Sequence, residues 1–284
     1  MESSSDPSSL ITRIESSSDS SSLKHYLMEE FNPRLLSDTY FSHNSHDELF
    51  EESALLPLRL LNNVMSTGRI KGETMIYMQI GTIISPLIPI SEFFNDITVL
   101  EYNDVCIKEL EKWKNTHDDA YDWSHTFQFM AELEGKGLSI FPITSEEWKT
   151  RQEKIKTSIK RILKCDFTKE NLTDPVTLLK VDCIFLGCLL ESVCKDQDDY
   201  FRSLKKISMW LKPGGHLILL VVLNASFYTI GEHRFHLVNL DEEFIRKALR
   251  DIGYMIETIE MVERKSNHEA ISYDHLALIT AVMQ

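Results

Sequence analysis

From residue 25 onward, short runs rich in Ile, Val and Leu alternate with stretches of helical periodicity, and few architectures accommodate that alternation. The runs at 75–80, 97–101, 162–167, 181–186 and 217–223 are dominated by apolar residues rather than apolar at every second position, as strands covered on both faces are. Helical patterns lie between them, at 104–114, at 146–161 behind a capping box of Thr144 and Glu147, at 198–211, and at 241–252 ending at Gly253. This order predicts an α/β fold built on a doubly wound, mostly parallel sheet. Two further strands, near 254–262 and 275–282, bring the sheet to seven, with the last one antiparallel.

Charge narrows the partners. Thirty Lys and Arg stand against 44 Asp and Glu, a formal charge of −14 that repels nucleic acid and anionic lipid alike. The longest apolar run, 217–223, is far short of the ~20 residues a spanning helix needs. With no basic patch and no apolar stretch behind the first residues, a secretory signal is not expected, and the expected location is cytoplasmic. Five cysteines, none in C-x-x-C spacing, read as reduced, packed thiols rather than metal ligands.

The first residues are different in kind. ESSSDPSSL at 2–10 recurs as ESSSDSSSL at 15–23, and so polar a segment cannot bury enough apolar surface to offset its chain entropy. Residues 1–24 are expected to be a disordered tail, and 25–284 one domain. In a doubly wound sheet, ligands bind outside the carboxyl ends of the strands. Function is therefore expected in the loops after residues 80, 101, 166, 186 and 223. Glu101 ends the second strand, where an acidic side chain can accept hydrogen bonds from the two hydroxyls of a ribose.

Several phrases, read in order, resemble one family: FNPR at 31–34, ITVLEYNDVCIKELEKW at 97–113, AYDWS at 120–124, LEGKG at 133–137, LKCD at 163–166, LKPGG at 211–215, and Tyr228-x-x-Gly-Glu232. They are similar to the nicotinamide, phenylethanolamine and indolethylamine N-methyltransferases, from about residue 25 to the end. The resemblance implies a Rossmann-like class I methyltransferase fold with a helical N-terminal cap at 25–73 and a helical insertion at about 120–160. It also implies methyl transfer from S-adenosylmethionine to a small-molecule acceptor, by a monomeric protein.

Matched residue by residue, the resemblance assigns Gly81, Glu101, Asp166 and Phe167 to the cofactor: Gly81 to the first-strand loop, Glu101 to the ribose, Asp166 and the Phe167 backbone N–H to the adenine. It assigns Tyr40, Glu191 and Tyr228 to the substrate. It implies neither a metal nor an obligatory catalytic acid or base. Val221, Ala225 and Leu237 stand where the nicotinamide branch has polar partners, so an aromatic amine or a thioether suits the pocket better than nicotinamide.

The first-strand loop departs from the family. An Asp-Ile-Gly-Ser-Gly-Pro-Thr type of sequence is replaced by Gln79-Ile80-Gly81-Thr82-Ile83-Ile84-Ser85, with one glycine left. Ile83 places a β-branched side chain where the backbone should approach the cofactor, so the loop must change shape or carry strain. Leu36, Phe41 and Leu87 replace tyrosines, and Cys106 replaces an asparagine. Two readings follow: an active methyltransferase with an unusual cofactor loop, or a pseudoenzyme of the same fold that binds or regulates.

Overall fold

The computed structural model describes residues 31–41, 47–135 and 145–284. The Ser-rich repeat and Thr144 lie outside the described residues. The sheet comprises β1 (Thr74–Gln79), β2 (Asp96–Glu101), β3 (Ile159–Lys164), β4 (Val181–Gly187), β5 (Leu211–Leu223), β8 (Tyr254–Glu263) and β10 (His275–Met283), in the spatial order β3-β2-β1-β4-β5-β10-β8. The first five are parallel, and β10 runs antiparallel between β5 and β8. The central strands β1, β2 and β4 are buried along almost their whole length, whereas the edge strands β3 and β8 keep polar side chains in solvent. This difference explains why the centre reads as solid apolar runs and the edges do not. A small second sheet joins β6 (Phe227–Ile230), β7 (His233–His236) and β9 (Ile271–Ser272).

The predicted strands fall within a residue or two of expectation except at β3, which begins at Ile159 rather than 162, and at β5, which begins at Leu211 rather than 217 and takes in the LKPGG phrase and the end of the helix expected over 198–211. Lys160, Arg161 and Lys164 are exposed in β3. Their charges prolong the helical pattern of the preceding residues, and only pairing with β2 separates strand from helix. The β6–β7 hairpin turns at Gly231, whose φ of +58° favours glycine.

Helix boundaries have chemical causes. Asn32 caps α1 (Pro33–Tyr40): its side-chain oxygen accepts from the Arg34 and Leu35 N–H groups at 3.0 and 3.2 Å, and Pro33 takes the first turn, where no donor is needed. α2 (Asp47–Phe50) continues through a π-helical turn, Glu51–Leu55, into α3 (Leu56–Ser66). Pro57 offers no N–H to the Ser53 carbonyl and would press against it, and the wider turn relieves that clash. α4 (Leu87–Ile90) is a single turn between Pro86 and Ser91.

Asn103 caps α5 (Asp104–Lys114) by accepting from the Val105 N–H at 2.8 Å. α6 (Ser124–Gly135) and α7 (Ser145–Ser158) follow before β3, and α8 (Leu190–Val193) follows β4. α9 (Gln197–Ser208) is capped by Asp196, and α10 (Glu242–Ile252) by Asp241, with Gly253 at φ +112° closing it. Among the described residues, no helix is long and apolar enough to cross a membrane.

α1 is fastened across the carboxyl ends of the strands from both sides. On one side the Arg34 guanidinium pairs with Glu109 of α5 at 2.9 Å and donates to the Asp119 carbonyl. On the other, the Tyr40 hydroxyl lies 2.8 Å from the Thr229 carbonyl and 2.9 Å from the Ala270 carbonyl, and accepts from the Thr229 N–H at 3.1 Å. Burial pushes the phenol up to about 12, so it stays protonated and can donate. Tyr40→Phe should therefore lower stability by about 1–2 kcal/mol in urea unfolding. An unchanged midpoint would show that the clasp contributes nothing.

Candidate active site

The strand order reverses between β1 and β4, which opens a crevice at their carboxyl ends. A cavity of about 100 Å³ lies there, small beside typical ligand pockets of roughly 300–1,000 Å³. Leu36 and Tyr40 of α1, Glu52 of the π-turn, Gln79 of β1, Glu191 of α8 and Tyr228 of β6 line it, together with apolar side chains. Among the described residues, no Lys, Arg or His lines it.

The polar groups of this lining differ in how far they are satisfied. Tyr40 is committed to the backbone, as described. Burial disfavours the charge on Glu52, but the carboxylate accepts from the Ser266 hydroxyl (2.6 Å) and the Lys265 and Ser266 N–H groups (both 2.8 Å), and with Arg264 these hold it below its ordinary pKa. Glu191 is 1% exposed, accepts from the Val222 N–H at 3.3 Å, and meets its own N–H and the Cys188 thiol. Burial pushes its pKa up to about 7. Tyr228 Oη and Gln79 Oε1 are buried without a hydrogen-bond partner.

The structure thus brings Tyr40, Glu191 and Tyr228 around one cavity. Gly81, Glu101, Asp166 and Phe167 lie outside its lining, at neighbouring strand ends. Glu101 is 2% exposed at the end of β2, accepts from the Asn103 N–H at 2.8 Å, and is pushed up to about 8 by burial. Beside it, the Tyr102 hydroxyl is buried and unpartnered, close to Tyr228. The Cys165 N–H donates to the Glu101 carbonyl at 2.8 Å, which sets Asp166 next to Glu101. Asp166 is half-buried and accepts from the Thr168 hydroxyl (2.6 Å) and N–H (2.9 Å), which hold it below the usual range. Phe167 is half-buried against the core.

The first-strand loop has changed shape rather than accepted strain. Gly81, at φ +66°, is the one residue of the loop in the left-handed region. Ile83 and Ile84 are buried, and the Tyr77 hydroxyl donates to the Ile83 carbonyl at 2.6 Å. Above Gly81 lies Leu36: a Cβ on the glycine would come within 2.6 Å of Leu36 Cδ2. Two lining residues, Glu52 and Gln79, escaped sequence reasoning. Nothing local marks Glu52, whose partners are more than 210 positions away, whereas Gln79 was visible as the replacement of an aspartate.

Together, this strand order and a crevice at the ends of β1 and β4 define a class I methyltransferase fold. Magnesium protoporphyrin IX methyltransferase from Synechocystis PCC 6803, solved with bound SAH, has the same fold, with a TM-score of 0.53 at 11% identity over 94% of this chain and 100% of that one. The chain belongs to the NNMT/PNMT/TEMT family, whose sequence profile matches residues 21–283. It is 34% identical to indolethylamine N-methyltransferase of Oryctolagus cuniculus, covering 83% of this chain and 85% of the relative. Nicotinamide N-methyltransferase of Homo sapiens is 30% identical, covering 85% of this chain and 88% of the relative.

This is a family of S-adenosylmethionine-dependent methyltransferases, so the residues can be compared with that cofactor's needs. Glu101, Asp166 and the main chain at Phe167 offer acceptors and a donor of the kind an adenosine requires. The amino-acid half is not matched: Leu36 and Phe31 cover the face of Gly81, and neither Leu36 nor Phe41 brings a hydroxyl. As α1 lies, the chain fits the adenosine half of the cofactor and not the whole.

Glu191 and Glu101 also make stability depend on pH. A carboxyl that ionises less readily folded than unfolded stabilises the fold fully only below its ordinary value of 4.5, and that contribution is lost as pH rises through about 7 for Glu191 and about 8 for Glu101. Each group adds a slope of up to about 1.4 kcal/mol per pH unit. The lowered carboxyls act elsewhere: Asp182, held at about 2, loses its contribution only as pH falls below its ordinary 3.8. Urea midpoints should therefore fall from pH 5 to pH 8, and Glu101→Gln and Glu191→Gln should each flatten the decline. A profile that is flat in the unsubstituted protein would contradict the burial argument.

Proposed function

We propose that this chain is a small-molecule methyltransferase whose acceptor is an aromatic amine, with a thioether the next candidate and nicotinamide disfavoured. The observation that carries this reading is the Glu191 carboxyl, buried in a cavity that contains aromatic rings and no basic side chain. A buried ammonium is costly without an opposite charge, and the Tyr40, Tyr228 and Tyr273 side chains in the lining give its aromatic body rings to pack against. Leu220, Val222 and Leu237 make the wall apolar where the resemblance places the amide partners of the nicotinamide branch. Glu191 would orient the amine, and the closed walls would keep water away. S-adenosylmethionine would be the methyl donor, its adenosine held through Glu101, Asp166 and Phe167, with Leu36 displaced from Gly81 to admit the remainder to the loop.

A second reading, a pseudoenzyme of the same fold that serves in binding or regulation, is favoured by Leu36 on Gly81 and by the lost loop glycine. Calorimetric titration with S-adenosylhomocysteine up to millimolar concentration separates the two. The enzyme reading predicts measurable binding, followed by methyl transfer from S-adenosylmethionine in an acceptor screen led by aromatic amines. Absence of both heat and thermal stabilisation would overturn it in favour of the pseudoenzyme.

A further inference from the structure

The cavity has one polar wall that neither the family resemblance nor the amine reading assigns. Gln79 is the last residue of β1, is 6% exposed, and is paired in register with Gly187 at the end of β4. Its side chain lies across that glycine: a Cβ on Gly187 would collide with Gln79 Oε1. The β4 chain then leads through Cys188 to Glu191, so the carboxamide and the carboxyl stand on adjacent strand ends and line the same cavity.

Neither group is fully satisfied by the protein. Gln79 Oε1 is buried and accepts no hydrogen bond, while Glu191 accepts from the Val222 N–H at the long distance of 3.3 Å and otherwise meets its own N–H and the weakly donating Cys188 thiol. Buried amide oxygens are nearly always paired, so an unpaired one beside a cavity suits a donor from a ligand. No cationic side chain stands among the described lining residues to supply it. The amide also suits Glu191 electrostatically: a second carboxylate here would drive one of the pair to hold its proton, whereas a neutral carbonyl accepts without opposing ionisation of its neighbour.

We propose that Gln79 is a specificity-determining residue: its carbonyl and the Glu191 carboxylate form an acceptor pair that selects ligand nitrogens carrying two or more N–H bonds. A primary ammonium on an apolar body satisfies both acceptors, and a fully substituted ammonium of the same charge satisfies neither. The inference rests on the amine-pocket reading above, but it concerns binding alone and needs no methyl donor.

The test is calorimetric titration of the full chain at pH 8 with 2-phenylethylamine and with its N,N,N-trimethyl analogue, no cofactor being added. The unsubstituted protein should prefer the primary amine, and the share of that preference owed to Gln79 should be about tenfold, the worth of one good hydrogen bond. Gln79→Met, which keeps the length of the side chain and removes the acceptor, should lower the preference by about that factor, to the part supplied by Glu191, while leaving the trimethyl affinity within about twofold. Gln79→Leu, checked for folding by circular dichroism, serves as the second variant. Equal affinity for the two ammonium ions in the unsubstituted protein would overturn the proposal. So would an undiminished preference in either folded variant, which would leave the amine pocket standing and remove Gln79 from it. If neither ammonium binds, the pocket reading and the proposal fall together.

Discussion

Leu36 resting on Gly81 decides the state of the strand ends. Gly81 must turn the chain at positive φ, and its bare face offers a shallow seat that a leucine from α1 fills. Once Leu36 is seated, Arg34 reaches Glu109 on one flank and Tyr40 reaches the β6–β9 backbone on the other. Close packing makes these contacts cooperate, since α1 cannot lift from the glycine without losing the polar clasps as well. The small cavity and the covered loop are both consequences of where this one helix lies.

The second constraint is dielectric. Two carboxyls, Glu101 and Glu191, lie at strand ends where burial opposes their charge, and no cation among the described residues offsets it. Glu52 is the contrast, a partly buried carboxylate that three donors and Arg264 keep ionised. A chain that satisfies one acid so fully has the means to satisfy others. Glu101 and Glu191 receive main-chain donors, and the Cys188 thiol in the case of Glu191, but no ion pair, and they stand at the strand ends where this fold receives its ligands.

Much of the sheet was legible because its strands are buried on both faces, and that burial writes solid apolar runs into the sequence. The caps of α5 and α10 were equally open to reading, with Asn103, Asp241 and Gly253 at the boundaries. The β3 edge was not, because Lys160 and Arg161 continue a helical pattern and only the β2 partner makes them strand. Within the site, Tyr40, Glu191 and Tyr228 were recoverable by matching residues to the family, whereas the use of each tyrosine hydroxyl was not. That Tyr40 spends its oxygen on Thr229 and Ala270 depends on contacts between segments 189 and 230 positions apart. Sequence also showed that the first-strand loop had lost its glycines, and left open whether it reshaped or strained. The buried Ile83 and Ile84 answer that point in favour of reshaping.

The most direct test of this account is the affinity for S-adenosylhomocysteine of a Leu36→Ala variant compared with the unsubstituted protein, by calorimetry on samples shown to be folded. If Leu36 is what closes the amino-acid half of the cleft, removing it should strengthen binding by about tenfold or more, because the side chain no longer has to be displaced. Unchanged or weaker binding in a folded variant would contradict the central claim that α1, through Leu36 on Gly81, sets the state of the site.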